Sequence, residues 1–182
     1  MDSAPDEVMF SAGVRAEQER RGSRGAQARR AAAGGFAREL PAKVIAFIGE
    51  RNSAYLSTAS ADGQPYIQHR GGPTGFLRVL DTGTIAFGNY RGNRQYISTG
   101  NLAENDRAFL FLMNYAAAER LKIWGRARVV SDDPALLARL GEVAGQPRFD
   151  EAIVFTVSAW DWNCGDHIPV LVNPALNEPG AT

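Results

Sequence analysis

Between Glu119 and Val130 the chain alternates in steps of two. Arg120, Lys122, Trp124, Arg126 and Arg128 fall on one side of an extended strand, and Leu121, Ile123, Gly125, Ala127 and Val129 fall on the other. One face is therefore core, and the other carries four cations around a tryptophan. Shorter runs with a strand-like texture surround this one. Ser53 to Ser60 and Pro65 to Arg70 flank Ala61-Asp62-Gly63-Gln64, and Asp-Gly between such runs predicts a hairpin. Phe76 to Leu80 and Thr84 to Asn89 flank Asp81-Thr82-Gly83 and predict a second. Arg107 to Tyr115 and Ile153 to Trp162 bring the expected strands to about seven.

Elsewhere the helical period takes over. Val44, Ile45, Phe47 and Ile48 make an apolar stripe behind Pro41, which predicts a helix ending near Gly49. Asn93 to Asn105 predicts another with Asn93 as its N-cap, and Pro134 to Leu140 a short third. From Met9 to Arg38 there are seven Arg, two acids and much Ala, punctuated by Gly22, Gly25, Gly34 and Gly35. That stretch predicts one or two short helices lying on the body of the protein. Residues 1–7 read as a frayed end, and the Pro-rich tail from Pro169 as a surface wrap. With no alternating βαβα order, the fold class is α+β, mainly β: an antiparallel barrel or sandwich of six to seven strands with peripheral helices. The chain divides into an N-terminal helical extension (1–39), a barrel domain (40–168) and a C-terminal tail (169–182).

Composition narrows the function. Twenty Lys+Arg balance twenty Asp+Glu among 182 residues, which argues against a globally basic nucleic-acid binder or a polybasic membrane protein. The Arg-rich stretch reads as a solvated helix face with a docking role rather than a nucleic-acid arm. The uncharged run Ala108 to Ala118 is too short to span a bilayer, and the N-terminus shows no apolar signal region, so a cytoplasmic protein is expected. A single Cys164 forbids an intrachain disulfide and a four-Cys zinc module.

Four segments could carry chemistry. On the strand Glu119 to Val130 the neighbouring cations repel, which calls for an anionic neighbour to at least one of them, unless this face is simply a solvated exterior. In Asn89-Tyr90-Arg91-Gly92-Asn93-Arg94-Gln95 a strand ends and a capped helix is expected to begin, with Arg94 in its first turn. Helix N-termini present unpaired N–H groups that hold phosphates. In Tyr66-Ile67-Gln68-His69-Arg70-Gly71-Gly72-Pro73, amide, imidazole and guanidinium precede two glycines that let backbone approach a ligand, or merely face water at a twisted strand end. In Trp160-Asp161-Trp162-Asn163-Cys164-Gly165-Asp166-His167, Cys164 and His167 suggest a thiol–base pair or metal ligands, but a small buried thiol accounts for the cysteine better. Neither a GxxxxGK nor a GxGxxG loop occurs.

Taken in order, these segments resemble the pyridoxamine 5'-phosphate oxidase-related family of FMN-binding split β-barrels. The resemblance runs from about Phe47 to His167. It rests on Gln68-His69-Arg70-Gly71-Gly72-Pro73, Gly92-Asn93-Arg94-Gln95-Tyr96-Ile97, Asn101-Leu102-Ala103-Glu104-Asn105-Asp106-Arg107, Lys122-Ile123-Trp124-Gly125-Arg126-Ala127 and Asn163-Cys164-Gly165-Asp166-His167-Ile168. The stretch from Val14-Arg15 to Arg24, with Gln18 and Gly22-Ser23-Arg24, resembles the leading helix of one branch of that family.

The resemblance implies a homodimer with two FMN sites in clefts between the subunits. It implies that Arg94 and Gln95 grip the FMN phosphate, that Phe87, Gly88 and Asn89 meet the flavin edge, and that Gln68, His69, Arg70 and Gly71 pass beneath the ring. Arg120 would reach the flavin in the partner's site, and Trp160 and His167 would lie near the ring. The chain departs from the true oxidases at Gln95, where they carry Lys, and in residues 169–182, which hold no basic residue. The function implied is an FMN-dependent oxidoreductase acting on a small organic substrate, with no metal and no side-chain nucleophile required. The alternative is a non-enzymatic flavin or haem carrier on the same fold, with His69 or His167 as an axial ligand.

Overall fold

The computed structural model describes residues 4–143, 145, 147–163 and 166–171. Three helices lead the chain, α1 (Pro5–Met9), α2 (Ala12–Arg20) and α3 (Arg24–Ala32), followed by α4 (Ala42–Gly49). Two hairpins come next, β1 (Ser53–Ala59) with β2 (Pro65–Gly71) and β3 (Arg78–Asp81) with β4 (Thr84–Gly88). Then follow α5 (Ile97–Glu104), β5 (Arg107–Asn114), β6 (Glu119–Val130), α6 (Pro134–Gly141) and β7 (Ala152–Asn163). The seven strands form one antiparallel sheet in the order β2-β1-β5-β6-β7-β4-β3. The α+β class and both hairpins are as expected from the alternation and turn residues. Residues 5–9 differ from the expected frayed end: Pro5 sits in the first turn, and Glu7 Oε2 accepts from the Ala4 N–H at 3.0 Å.

The sheet coils around one core. Leu56, Ile85, Phe87, Leu110, Leu112, Leu121, Ile123, Ile153 and Phe155 are fully buried on its inner face, and Leu40, Val44, Phe47 and Ile48 pack against them from α4 and its lead-in. The coiling is visible in a bond between strands far apart in sheet order. Arg70 at the end of β2 donates from Nη1 to Oδ1 of Asn89, just past β4, at 3.0 Å. A second cluster lies on the other face of β4 and β7, where Leu140 of α6 and Phe149 cover Ala86, Ala152 and Val154.

On β6 the inner positions Leu121, Ile123, Gly125 and Ala127 are buried as the alternation requires. On the outer face Lys122 pairs with Asp161 at 3.1 Å and Arg126 pairs with Asp106. Asp161 is buried and also accepts from Arg30 of α3, whose guanidinium lies over the Phe36 ring. The basic N-terminal segment is thereby tied to β7 by one carboxylate. Asp161→Asn is expected to cost about 1–2 kcal/mol, since both cations keep access to water. The same change should make trypsin cut α3 earlier than in the parent. An unchanged digestion rate and melting temperature would mean that other contacts hold α3.

Candidate functional site

β2 differs from the other strands in what it turns inward. Its register places Gln68 opposite Leu56 and Arg70 opposite Ala54, both core positions. The barrel wall at β2 is thus polar on its inner side, and α5 and the segment 89–96 pack there instead of apolar side chains. Gln68 Oε1 accepts from the Ser98 hydroxyl at 2.8 Å. Arg70 is 9% exposed, and its Nε has no hydrogen-bond partner among the described residues.

Asn89 links the elements. Its N–H donates to the Glu151 carbonyl at 2.8 Å, and its Nδ2 donates to Glu151 Oε2 at 2.9 Å and to Thr99 Oγ1 at 3.4 Å. The amide can face only one way, because a guanidinium can only donate and an ionised carboxylate only accept. Burial pulls the Arg70 pKa below the usual arginine value, with Tyr66 acting in the opposite direction. The Tyr90 hydroxyl, also buried without a partner among the described residues, is pushed above the usual phenol value by the same desolvation.

Two cavities adjoin this knot. The larger, about 370 Å³, is lined by Asn89, Tyr90, Arg91, Arg94, Tyr96, Asp150 and Glu151. A narrower one of about 30 Å³ lies among Gln68, Arg70, Tyr90, Gln95, Ser98 and Thr99 with their neighbours. In the larger cavity the charges are mostly matched. Asp150 binds Arg91 and holds its pKa above the usual value, and Glu151 binds Asn89. Arg94 has no ion pair among the described residues.

The expected helix start is corrected here. Asn93 does not cap a helix: its Oδ1 accepts from the Gln95 N–H at 3.2 Å, closing a local turn. Gly92, Arg94 and Tyr96 all have positive φ, at 47°, 63° and 53°. Left-handed residues cannot continue a right-handed helix, so α5 begins only at Ile97. Arg94 therefore sits on a turn before the helix, at the rim of the larger cavity, and not in a helical first turn.

Of the other candidate residues, Gln68, Arg70, Asn89 and Gln95 share the narrower cavity, and Asn89 and Arg94 the larger. His69 points to the opposite face of β2, where Nε2 meets Ser53 Oγ at 3.0 Å and the ring packs edge-on to Tyr55. Gly71 lies beside it, with His69 Cε1 only 2.9 Å from where a Cβ would stand. Phe87 is core, and the open side of Gly88 is filled by the Phe149 ring. Arg120, Trp160 and His167 line neither cavity. Trp160 lies roughly 25 Å along β7 from Ala152, the partner of Gly88. Its indole N–H donates to the Glu39 carbonyl at 2.9 Å. His167 is exposed with φ 64°, and Cys164 lies outside the described residues. Among those described, no group of His, Cys, Asp and Glu could hold a metal, and no helix is long and apolar enough to cross a membrane.

Sequence reasoning missed Asp150, Glu151, Ser98 and Thr99. No local pattern marks Asp150-Glu151, because only the β4–β7 pairing carries them to Asn89. Ser98 and Thr99 had a usable signal, as hydroxyls just after a segment already singled out.

Comparison with known proteins adds three findings. Residues 40–161 match the family described as pyridoxamine 5'-phosphate oxidase. No curated protein matches the chain. Among solved structures, a histidine-to-alanine variant of HupZ from group A Streptococcus is similar, with a TM-score of 0.52 and 15% identity over 68% of this chain and 99% of that one. A putative pyridoxamine 5'-phosphate oxidase from Lactobacillus delbrueckii is similar with a TM-score of 0.51 and 17% identity, over 68% of this chain and 94% of that one. At such identities the likeness is one of fold.

Proposed function

Because the chain belongs to the pyridoxamine 5'-phosphate oxidase family, we propose that it binds FMN and acts as an FMN-dependent oxidoreductase on a small organic substrate. The observation that carries this reading is Arg94: it stands at the rim of the larger cavity with no carboxylate partner among the described residues, while neighbouring Arg91 is engaged by Asp150. An unpaired guanidinium beside an open cavity suits a phosphate dianion. Gln95 and the knot around Arg70 and Asn89 support the same end of the cofactor, and the polar inner wall of β2 offers hydrogen-bonding groups to its ring. When bound, FMN supplies the redox chemistry, and the protein orients it and tunes it by hydrogen bonding.

The proposal includes a homodimer. Arg120, Trp160 and His167 line neither cavity of their own chain, so a role at the flavin would be exercised in a partner's site. The outer face of the sheet suits such pairing. Tyr55, Phe109, Phe111 and Trp124 are only half-buried there, and Ile67 is 62% exposed. Half-buried aromatics in a row are the usual material of an interface core.

An absorption spectrum of freshly purified protein, followed by FMN titration and gel filtration, tests the whole reading. Yellow protein, saturable flavin uptake and a dimer are expected. A colourless protein that takes up no FMN overturns it. A Soret band on haem addition, lost in His69→Ala or His167→Ala, would turn the reading to haem carriage, for which both histidines are exposed.

A further inference from the structure

We propose that the cleft between the N-terminal helices and the outer face of the sheet binds a small aromatic carboxylate. The cleft holds about 340 Å³, within the range of small-molecule sites. On one side it is lined by Glu7 and Val8 of α1 and by Ser11 ahead of α2. On the other it is lined by Arg107 of β5, Trp124 of β6 and Ser158 of β7 with their neighbours.

Charge calls for the anion. Arg107 stands directly opposite Arg126 in the β5–β6 ladder, and like charges so placed destabilise a sheet. Asp161 answers Lys122 and Asp106 answers Arg126. Arg107, by contrast, has neither an ion pair nor a side-chain hydrogen bond among the described residues, although it lines the cleft. Glu7 lines the cleft too, but its carboxylate accepts from the Ala4 N–H at the start of α1. A guanidinium without a counter-ion, beside one already matched, suits the carboxylate of a ligand through paired hydrogen bonds.

The walls call for a ring. A space of roughly ten waters is far larger than a simple ion needs. Trp124 is half-buried on the sheet side, and Val8 is 37% exposed on the helix side. Both gain by covering a flat apolar body. The β6–β7 bulge supplies a third contact. Trp124 pairs with Ala159 and Gly125 with Val157, so Ser158 is the residue left without a partner on β6. Bulges re-aim side chains. This one brings to the cleft a hydroxyl that makes no hydrogen bond among the described residues.

The cleft lies apart from the proposed flavin site. It shares no lining residue with the two cavities near Arg94, and Ser158 lies roughly 20 Å along β7 from Ala152, the partner of Gly88. Both of its sides come from one chain, so the inference rests neither on flavin binding nor on pairing.

Calorimetric titration of the full chain with 1-naphthoate tests it. Saturable binding is expected with a Kd of about 1 mM or below. Naphthalene-1-carboxamide, of the same shape but uncharged, should bind roughly 10-fold more weakly. Arg107→Gln should bring the acid down to the level of the amide, and Ser158→Ala should weaken the acid by roughly 3-fold. Neither side chain belongs to the core, so both variants should melt with the parent. Because the ligand ties α1 to the sheet, trypsin should cut the segment 1–39 more slowly when naphthoate is present. No saturable binding up to about 10 mM, or a preference for the acid that survives Arg107→Gln, overturns the proposal. Displacement of naphthoate by FMN would place it in the flavin site, and dissociation of a dimer by naphthoate would give Trp124 to the subunit contact. Either result equally refutes a separate site.

Discussion

Gly125→Ala is expected to lower stability by about 3 kcal/mol, the upper end of what overpacking a core costs. Gly125 sits on β6 where the ladder with β7 slips: Trp124 pairs with Ala159, but Gly125 pairs with Val157. An extra residue on β7 bends the strand at that point and draws its backbone inward. A Cβ on Gly125 would lie 2.2 Å from the Thr156 carbonyl oxygen and 2.4 Å from the Phe155 ring. The ring could swing aside, but Phe155 is fully buried, and the carbonyl belongs to the backbone of a strand paired on both sides. Neither can yield without opening the core. For a domain of this size the loss corresponds to roughly 6–12 °C in melting temperature. Gly100 in α5 is the control. Nothing lies within 4 Å of its missing Cβ, so Gly100→Ala should be neutral or stabilising by up to about 1 kcal/mol. A Gly125→Ala protein melting within 2 °C of its parent would show that the bulge is not where the β6–β7 register places it.

That bulge also marks what could be read from the sequence. The alternation from Glu119 to Val130 identified the buried face of β6, because sheet side chains change sides at every residue and one face must be apolar. It carried no sign of the slip, since the extra residue is on the partner strand. Both hairpins were legible because their turn residues are local. The start of α5 was not. Asn93 has the side chain of a cap, but the same side chain closes a tighter turn onto Gln95. The choice between the two depends on Arg94 and Tyr96 accepting left-handed backbone, which no local preference announces. Residues of the strand-end and turn segments were legible by type, and Gln68, Arg70, Asn89, Arg94 and Gln95 among them line the two cavities. His69 was grouped with them by adjacency, although a strand sends neighbours to opposite faces. Glu151, which sets the Asn89 amide, lay beyond reach because a contact across 62 positions exists only once the sheet has closed.

Arg94→Ala is expected to weaken FMN binding by roughly 10- to 100-fold, the loss of one or two charged hydrogen bonds to the phosphate. The comparison that gives this number meaning is riboflavin, which has the same ring and no phosphate. If Arg94 holds the phosphate, its removal leaves riboflavin affinity as it was and brings the two ligands close to equal. If Arg94 merely shapes the turn, both affinities fall together, because its left-handed backbone at φ 63° helps fix the rim from which Tyr96 and Arg91 face the cavity. Arg94→Asn separates these cases further, since asparagine accepts left-handed backbone readily but carries no charge. It should preserve riboflavin binding and lose FMN binding as alanine does. Gln95→Lys runs in the other direction. It adds a second cation on the same turn, and should tighten FMN several-fold with a steeper dependence on salt. FMN affinity indifferent to all three changes would move the phosphate away from this turn and leave the larger cavity to some other ligand.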